Sequence, residues 1–270
     1  MKNKKALFLI PYYLWILLFV ILPILLIAWY ALTDSNNHFT LNNFVQFFKN
    51  GTFLRMMFNS FWYAFLITLL TLVISYPAAY FLTKVKNQQL WLLLIILPTW
   101  INLLLKAYAF IGILGNDGLV NKFLHLFGIG PVNLLFTDFA FIFVATYIEI
   151  PFMILPIYNA IKEINPAVIQ ASEDLGASHF QTFYYVLWPL SKPGVESGVQ
   201  AIFIPSLSLF MLTRLIGGNR VITLGTAIEE YFMTTMNWNM GATIGVILII
   251  LMIIVMLLTG SKRKKKRVNL

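Results

Sequence analysis

An all-α membrane protein with six transmembrane helices is the fold class that this sequence predicts. Of its 270 residues, 60% are hydrophobic and 11% are charged, whereas a soluble domain carries about 25% charged residues. Six apolar stretches reach the roughly 20 residues that a helix needs to cross the hydrocarbon core. Lysine and arginine are also distributed unevenly among the connecting segments. Together these observations predict one multi-pass helical domain, residues 1–270, in the cell membrane.

The predicted spans are residues 7–32, 61–82, 90–114, 134–161, 189–216 and 240–260. The first exceeds the apolar length of a signal peptide, and no small-residue cleavage site follows it, so we interpret it as a retained helix. The connecting segments are short and polar, which argues against a soluble appendage. We therefore expect a first helix at residues 7–32 and a core at about residues 57–260.

The positive charges orient the predicted spans. With both termini in the cytoplasm, thirteen Lys and Arg residues lie inside and five lie outside, the asymmetry typical of membrane proteins. We interpret the basic run KRKKKR, residues 262–267, as an anchor at anionic lipid headgroups rather than as a nucleic-acid site. Six spans then place residues 165–189 in the cytoplasm, between spans four and five.

Several chemistries are excluded by what the sequence lacks. There is no cysteine, so disulfides, thiolate metal sites and cysteine nucleophiles are excluded. No G-x-x-x-x-G-K-[ST] phosphate loop and no H-E-x-x-H motif occurs. We therefore expect no catalytic residues, no metal and no cofactor in this chain.

The cytoplasmic segment carries signals for two short helices. Asn165 followed by Pro166 is typical of a helix start, and Gly176 is typical of a helix end. Ser178 with Gln181 forms a capping-box pattern, which predicts a second helix that ends before Pro189.

The two predicted helices differ in their faces. The first places small and aliphatic residues together, and the second places aromatic residues together, in the two sets Val168, Ala171, Ser172, Leu175 and Phe180, Phe183, Tyr184, Leu187. A helix pair lying on the membrane surface is one interpretation. The segment has few basic residues, however, and interfacial helices usually carry them on the polar face. A protein partner is therefore favoured.

The same segment resembles the EAA loop of permeases of ATP-binding-cassette (ABC) importers. That loop has the pattern E-A-A, three residues, G, nine residues, I-x-L-P. Here the matching residues are Gln170-Ala171-Ser172, Gly176 and Val186-Leu187-Trp188-Pro189. Gln170 replaces the usual Glu, and Ser172 replaces the second Ala. The resemblance implies contact with an ATPase subunit through Gln170, Ala171, Ser172, Leu175, Gly176, Ala177 and Phe180.

Most of the chain is similar to the spermidine/putrescine permeases of the PotB type. The similar stretches include residues 98–110, 150–161 and 214–232, although Thr226 and Tyr231 stand where Asn and Gln are expected. The resemblance implies polyamine import with a second permease of related fold, a dimer of ATP-binding subunits and an extracytoplasmic polyamine-binding protein. ATP and Mg²⁺ would then be bound by the ATPase partner.

Glu149 is the strongest candidate for a residue of the transport path, because an ionisable residue within a span usually faces the bundle interior. Trp100, Tyr147 and Phe152 could add cation–π attraction for a polyamine. Lys106 would repel a cation, so we interpret it as structural or gating. The alternative is a Glu149–Lys106 pair that serves helix packing. Glu230 could meet the cation or the binding protein, or it could be a solvated charge.

Three other functions stay open from the sequence. An ABC permease for another small solute would share the loop, although an anion importer would favour basic groups along its path. An independent secondary transporter would show internal repeats and broken spans in matching positions, and the sequence has no such repeat. A membrane-embedded enzyme would need a catalytic motif, which is absent.

Overall fold

The computed structural model describes residues 9–260, apart from the side chain of Asn219. Within this range the chain is helical, and its one β-type pairing is the isolated bridge between Thr33 and Phe39. The N-terminal lysines and the basic run at 262–267, on which the charge asymmetry partly depends, lie outside the described residues. The start of the first predicted span, at residues 7 and 8, lies outside them as well.

Five helical stretches are long and apolar enough to cross a membrane. They are Ile10–Ala31, Gly51–Leu82, Leu103–His125, Asp138–Lys162 and Trp238–Thr259. We name Ile10–Ala31 α1, and it contains a π-helical turn, Leu17–Ile21, ahead of Pro23. The short α2, Asn42–Lys49, follows. The next long helix, α3, is Gly51–Leu82 and contains Pro77.

The helix α3 begins ten residues before the predicted span at 61–82. Asn50 caps it, because the Asn50 side chain accepts a hydrogen bond of 2.9 Å from the Thr52 amide. The added residues include Arg55 and Asn59, which lowered the hydropathy of this stretch without preventing helix formation. Its first turns pack against α2, where Phe47 stacks on Phe53 at 5.2 Å between ring centroids.

The third predicted span, 90–114, is broken in the structure. It consists of α4, Gln88–Ile96, a 3₁₀ turn, Leu97–Trp100, and α5, Leu103–Leu114. Ile101 is extended, and the Asn102 side chain caps α5 by accepting from the Leu104 amide at 2.8 Å. A further helix, α6, Leu119–His125, follows α5 after a turn. The prediction of one uninterrupted helix is therefore wrong here, because Pro98 and Asn102 favour a stop and a new start.

The fourth span is the long helix α7, Asp138–Lys162, capped by Thr137 and containing Pro151 and Pro156. The short α8, Pro166–Asp174, and α9, His179–Thr182, follow it. A π-helical turn, Phe183–Leu187, joins α9 to α10, Trp188–Ser206. The fifth predicted span, 189–216, is thus also broken, since α10 ends at Ser206 and α11 is Met211–Ile216.

The last part of the chain holds α12, Leu224–Glu229, a π-helical turn, Glu230–Thr234, and α13, Trp238–Thr259. The observed α13 agrees with the predicted span at 240–260 to within two residues. It packs against α1, and the Asn239 side chain donates to the carbonyl oxygen of Thr33 at 2.8 Å.

The centre of the bundle is formed by α3, α7 and α10, which pack against one another. Their largest fully buried side chains include Ile67, Phe141, Met153, Ile157 and Ile202. A second apolar cluster, with Phe47, Leu224 and Ile244, joins α2, α12 and α13. Gly194 and Gly198 allow the backbone of α10 to lie close to α7. A Cβ atom on Gly194 would lie 2.5 Å from the Ala160 Cβ and the Pro156 carbonyl oxygen.

The bundle has two ends, which we name after the short helices that mark them. At the α2 end, the Leu224 amide donates to the Ser60 hydroxyl at 2.8 Å, and the Tyr63 hydroxyl donates to Asp138 at 2.8 Å. At the α8 end, the Tyr76 and Ser191 hydroxyls lie 2.7 Å apart. These polar contacts fasten the central helices together at both ends.

Candidate functional site

The segment 165–189, which precedes and enters α10, is the first candidate site. Asn165 caps α8, because its side-chain oxygen accepts from the Ala167 amide at 3.0 Å and Pro166 occupies the first turn. The predicted helix start is confirmed. Both features rest on local sequence signals that need no tertiary contact.

Gly176 ends α8 in the left-handed conformation, with φ of +82°. Its amide donates to the Glu173 carbonyl at 2.9 Å, and the Ala177 amide donates to the Ser172 carbonyl at 3.1 Å. This pair of bonds is a Schellman motif, which closes the last turn. A Cβ at Gly176 would meet no atom within 4 Å. Glycine is therefore required here by the backbone conformation rather than by lack of space.

The second helix of the segment begins as predicted. The Ser178 hydroxyl accepts from the Gln181 amide at 3.3 Å, and the Gln181 side chain accepts from the Ser178 amide at 2.8 Å. Gly176 and Ser178 thus fix the bend between α8 and α9 within two residues. Because both helix ends are capped, the bend is a defined structure rather than an open loop.

The predicted end of that helix before Pro189 is wrong. The chain continues from α9 through the π turn Phe183–Leu187 into α10, with Pro189 in the first turn of α10. The Trp188 amide bonds five residues back, to the Phe183 carbonyl. Proline lacks an amide donor and its ring crowds the carbonyl four residues back. The wider π turn precedes the proline, which occupies an early helical position where it is tolerated.

The π turn also divides the predicted aromatic face. Phe183 and Leu187 turn toward the bundle, whereas Phe180 is 74% exposed and stacks on Tyr184 with ring centroids 6.5 Å apart. Leu175, at the tip of α8, is 89% exposed. The segment therefore presents exposed apolar side chains at the α8 end of the bundle, on a backbone that capping holds in place.

Residue 172 makes a contact that the sequence did not reveal. The Ser172 hydroxyl lies 3.0 Å from the Thr182 hydroxyl, which links α8 to α9. Thr182 is buried, with 3% of its surface exposed. Of the other predicted contact residues, Gln170 and Ala171 are exposed and Ala177 is half-buried.

The segment is joined to the centre of the bundle by Tyr76 of α3. The Tyr76 hydroxyl bonds to Ser191 of α10 at 2.7 Å, and its ring lies 5.4 Å from the Phe183 ring and 5.3 Å from the Trp188 ring. Sequence reasoning missed Tyr76, Thr182 and Ser191. A polar residue directly before Pro77 in an apolar span was the available signal.

The second candidate site is the path along α7. Glu149 is partly buried and lies two residues before Pro151. Lys106 of α5 is partly buried as well. Among the described residues, the ion pairs do not include one between Glu149 and Lys106. The direct pairing that we considered as the packing alternative is therefore not made in this conformation.

The three aromatic candidates are not gathered around Glu149. Phe152 lies three residues after Glu149 on α7, so the two side chains share a helical face. Tyr147 lies two residues before Glu149 and contacts Phe110, with ring centroids 5.1 Å apart. Trp100 ends the 3₁₀ turn after α4 and is 74% exposed. The structure thus brings only Phe152 onto the face of Glu149.

Glu230 is remote from Glu149. It begins the π turn after α12 and lines a cavity of about 330 Å³ at the α2 end, together with Arg214, Thr226 and Thr234. Its neighbour Glu229 pairs with Arg214 at 2.8 Å. Glu149 lies eleven residues from Asp138 along α7, which corresponds to about 16 Å. Because Asp138 marks the α2 end of α7, Glu149 and Glu230 lie at different depths of the bundle.

The helical membrane bundle with a capped, bent helix pair at one end can be compared with known folds. Solved structures have this fold. A bacterial ABC transporter involved in the import of the acidic polysaccharide alginate superimposes with a TM-score of 0.81 over 96% of this chain and 94% of that chain, at 19% identity. The alginate transporter in complex with its alginate pentasaccharide-bound periplasmic protein gives the same TM-score of 0.81.

Proteins of similar sequence define the family of this chain. The chain is 33% identical over 242 residues to the spermidine/putrescine transport system permease protein PotB of Haemophilus influenzae, covering 86% of this chain and 84% of the relative. It is 33% identical over 244 residues to PotB of Escherichia coli, covering 87% and 88%. No protein-family model matches the chain. The chain belongs to the PotB family of spermidine/putrescine ABC-transporter permeases, and it is a multi-pass protein of the cell membrane.

Proposed function

We propose that this chain is the permease subunit of an ATP-driven polyamine importer, with spermidine or putrescine as the substrate. The 33% identity to PotB relatives over more than four-fifths of the chain supports this substrate class. The whole of residues 1–270 forms one permease domain, with its core at about 57–260. Its partners are a second permease, two ATP-binding subunits and an extracytoplasmic binding protein.

Six membrane crossings with both termini in the cytoplasm follow from this proposal. Phe136, between α6 and α7, donates its amide to the Ile216 carbonyl at the end of α11. Gln88, at the start of α4, accepts from the Tyr158 hydroxyl near the end of α7 at 2.8 Å. These contacts support a direction for each broken stretch: residues 88–125 run from the α8 end to the α2 end, and residues 188–216 do the same. Each of them then crosses the membrane once, although neither is one continuous helix.

The coupling role of segment 165–189 rests on its shape. We propose that α8 and α9 occupy a groove of the ATPase subunit, with contacts from Gln170, Ala171, Ser172, Leu175, Gly176, Ala177 and Phe180. When the two ATPase subunits close on ATP and Mg²⁺, the segment moves with them and turns the permease from inward-open to outward-open. Linkage requires the reverse effect as well, so a loaded binding protein outside raises ATP hydrolysis inside.

Glu149 is the proposed cation contact in the path, with Phe152 on the same helical face. A partly buried carboxylate without a direct ion pair can attract a polyamine ammonium group. Lys106 limits the time that a cation spends there, because like charges repel at close distance. Trp100, Tyr147 and Glu230 would contribute only in other conformations or at the entrance to the path.

The single observation that carries the coupling proposal is the exposed apolar tip on a capped backbone, with Leu175 89% exposed. Because the chain has no cysteine, a Leu175→Cys variant carries one thiol. We expect this thiol to cross-link to the ATPase subunit in inside-out vesicles. We also expect it to be shielded from a membrane-impermeant maleimide added to right-side-out membrane vesicles.

The matched control is Met233→Cys, at a residue of the α2 end that is 72% exposed. This thiol should react with the impermeant maleimide and should not cross-link to the ATPase. Labelling of Leu175→Cys from outside, or its failure to cross-link to any ATPase subunit, would refute the coupling role.

Uptake of spermidine and putrescine by the reconstituted complex, with and without ATP, tests the substrate and the energy source. Import of another solute alone would redirect the assignment to another cargo, and uptake without ATP would indicate an independent transporter.

A further inference from the structure

We propose that the π turn Phe183–Leu187 is the element that transmits movement from the coupling segment to α3, with Tyr76 as the positioning residue that receives it. This inference rests on the coupling role proposed above. It concerns the route from the ATPase contact into the bundle, which the shape of the segment alone does not define. A hydrogen bond between two hydroxyl groups, which we call a tie, flanks the π turn on each side.

The first tie joins the turn to α8. Thr182 is the residue directly before the turn, and its hydroxyl lies 3.0 Å from that of Ser172. The EAA pattern has alanine at position 172, and alanine has no hydroxyl to form this bond. The tie is therefore a feature of this sequence. It stops α8 from tilting without α9.

The second tie joins the turn to α3. Ser191 lies four residues after Leu187, and its hydroxyl meets that of Tyr76 at 2.7 Å. Both residues are buried, with 6% of Tyr76 and 0% of Ser191 exposed. The Ser191 hydroxyl also donates to the Trp188 carbonyl at 3.3 Å. Separation of the pair therefore leaves the buried Tyr76 hydroxyl without a partner, which costs free energy. The pair therefore resists separation.

The rings of the turn add a steric contact to these bonds. Phe183, the first residue of the turn, meets the Tyr76 ring edge-on at 5.4 Å, and Trp188, directly after the turn, lies 5.3 Å away. The Phe183 and Trp188 rings lie 6.4 Å from each other, so the three rings form one cluster. A displacement of the turn toward α3 therefore pushes on Tyr76.

The position of Tyr76 within α3 converts this push into a bend. Pro77 follows it and has no backbone N–H, so the helix lacks the hydrogen bond that residue 77 would donate to the Val73 carbonyl. Helices bend most easily where such a bond is missing. A force on Tyr76 is therefore applied beside the weakest point of α3. The part after Pro77, at the α8 end, can tilt against the long part before it.

The experiment uses the complete importer in nanodiscs, with loaded binding protein outside. Tyr76→Phe and Ser191→Ala each remove the second tie, and the first of them keeps the aromatic ring with its contacts to Phe183 and Trp188. We expect ATP hydrolysis without binding protein to stay at the wild-type level. We expect polyamine molecules imported per ATP hydrolysed to fall at least about fivefold, the lower range of allosteric coupling. The double variant should equal the single variants, because both remove one bond.

The first tie is tested in parallel. Ser172→Ala should lower the same ratio, and Ser172→Thr, which keeps a hydroxyl, should restore it. Tyr158→Phe is the matched control. It removes another tyrosine hydroxyl at the α8 end, one whose hydrogen bonds go to Gln88 and Lys162 rather than to the π turn or α10. We expect it to leave the ratio unchanged.

The outcomes separate this inference from the proposed function. If the wild-type importer couples uptake to ATP and the Tyr76 and Ser191 variants do too, the transmission route is wrong and the proposed function stands. An equal loss in Tyr158→Phe would also overturn the inference, because the cause would then be general loosening. If the wild-type complex shows no ATP-driven polyamine uptake, both fall together.

Discussion

The Tyr63 hydroxyl donates a hydrogen bond of 2.8 Å to a carboxylate oxygen of Asp138. Tyr63 belongs to α3, and Asp138 is the first residue of α7. Tyr76 makes the corresponding bond to α10 thirteen residues further along α3, which is about 20 Å along the helix axis. The helix α3 is thus fastened to one central neighbour at each end.

The Tyr63 bond is predicted to stabilise the bundle without serving transport. Tyr63→Phe removes the hydroxyl and keeps the ring, which packs edge-on against Phe141 at 5.3 Å. A hydrogen bond at a partly exposed carboxylate contributes about 1 kcal/mol. We expect the melting temperature in detergent to fall by about 2–4 °C, with uptake per ATP unchanged.

The control for this prediction is Tyr108→Phe. Tyr108 is an exposed residue of α5, and its hydroxyl makes no side-chain hydrogen bond within the part of the chain that the structure describes. Its removal should not shift the melting temperature. A shift of equal size in both variants would show that the Tyr63–Asp138 bond contributes nothing specific.

Gly176 is predicted to be essential for coupling. Gly176→Leu places a side chain at φ of +82°, a conformation that costs roughly 1–2 kcal/mol for residues other than glycine. The bend between α8 and α9 should then change. We expect the variant to insert into the membrane at the normal level and to lose ATP-driven uptake, measured with radiolabelled spermidine.

Two further variants define the cause of that loss. Gly176→Asn should keep most uptake, because asparagine tolerates the left-handed conformation. Gly130→Leu, at a glycine with open space and no positive φ, should behave as wild type. Normal uptake by Gly176→Leu would remove the main support for a rigid coupling segment.

Glu149→Gln is predicted to weaken uptake more than assembly. The substitution keeps the shape of the side chain and removes the charge that would attract a polyamine. We expect the substrate concentration for half-maximal uptake to rise at least about tenfold, equivalent to about 1.4 kcal/mol. Glu163→Gln, at the end of α7, is the control of equal charge change. Unchanged kinetics in Glu149→Gln would assign Glu149 to packing alone.

Gly194→Ala and Gly112→Ala are predicted to change the stability of the protein in opposite directions. A Cβ on Gly194 would lie 2.5 Å from the Ala160 Cβ and the Pro156 carbonyl oxygen, whereas one on Gly112 meets nothing within 4 Å. Gly194→Ala should therefore destabilise the protein by about 1–3 kcal/mol through overpacking. Gly112→Ala should stabilise α5 by about 0.5–1 kcal/mol. Melting curves of the two variants would show this contrast, and a stabilised Gly194→Ala would contradict the close packing.

Three features of the coupling segment were predictable because their signals are local, although the local signal at Pro189 misled. Asn165, Gly176 and Ser178 act through bonds to backbone groups within five residues, so the sequence contains all that determines them. The apolar stretches were found for a similar reason, since hydropathy requires no partner. The start of α3 was missed because polar residues such as Arg55 and Asn59 occupy a helix outside the apolar stretch.

The breaks in the predicted helices and the arrangement around Glu149 could not be predicted, because they depend on tertiary contacts. The π turn Phe183–Leu187 shifts the helical phase, so the spacing of Phe180, Phe183 and Leu187 no longer describes one face. The turn packs against Tyr76, which lies more than a hundred residues earlier in the sequence. In the same way, no pattern could tell whether Lys106 of α5 reaches Glu149 of α7, because that depends on how the two helices are rotated.

The close contact at Gly194 and Gly198 has a mechanical consequence. With only hydrogen on these residues, the backbone of α10 rests on Pro156, Ala160 and Met153 of α7, and neither helix can slide past the other without collision. The two must swing as a single lever. A rocking motion would therefore have to be absorbed elsewhere, and the backbone is irregular on either side of this pair, at residues 101–102 and 207–210.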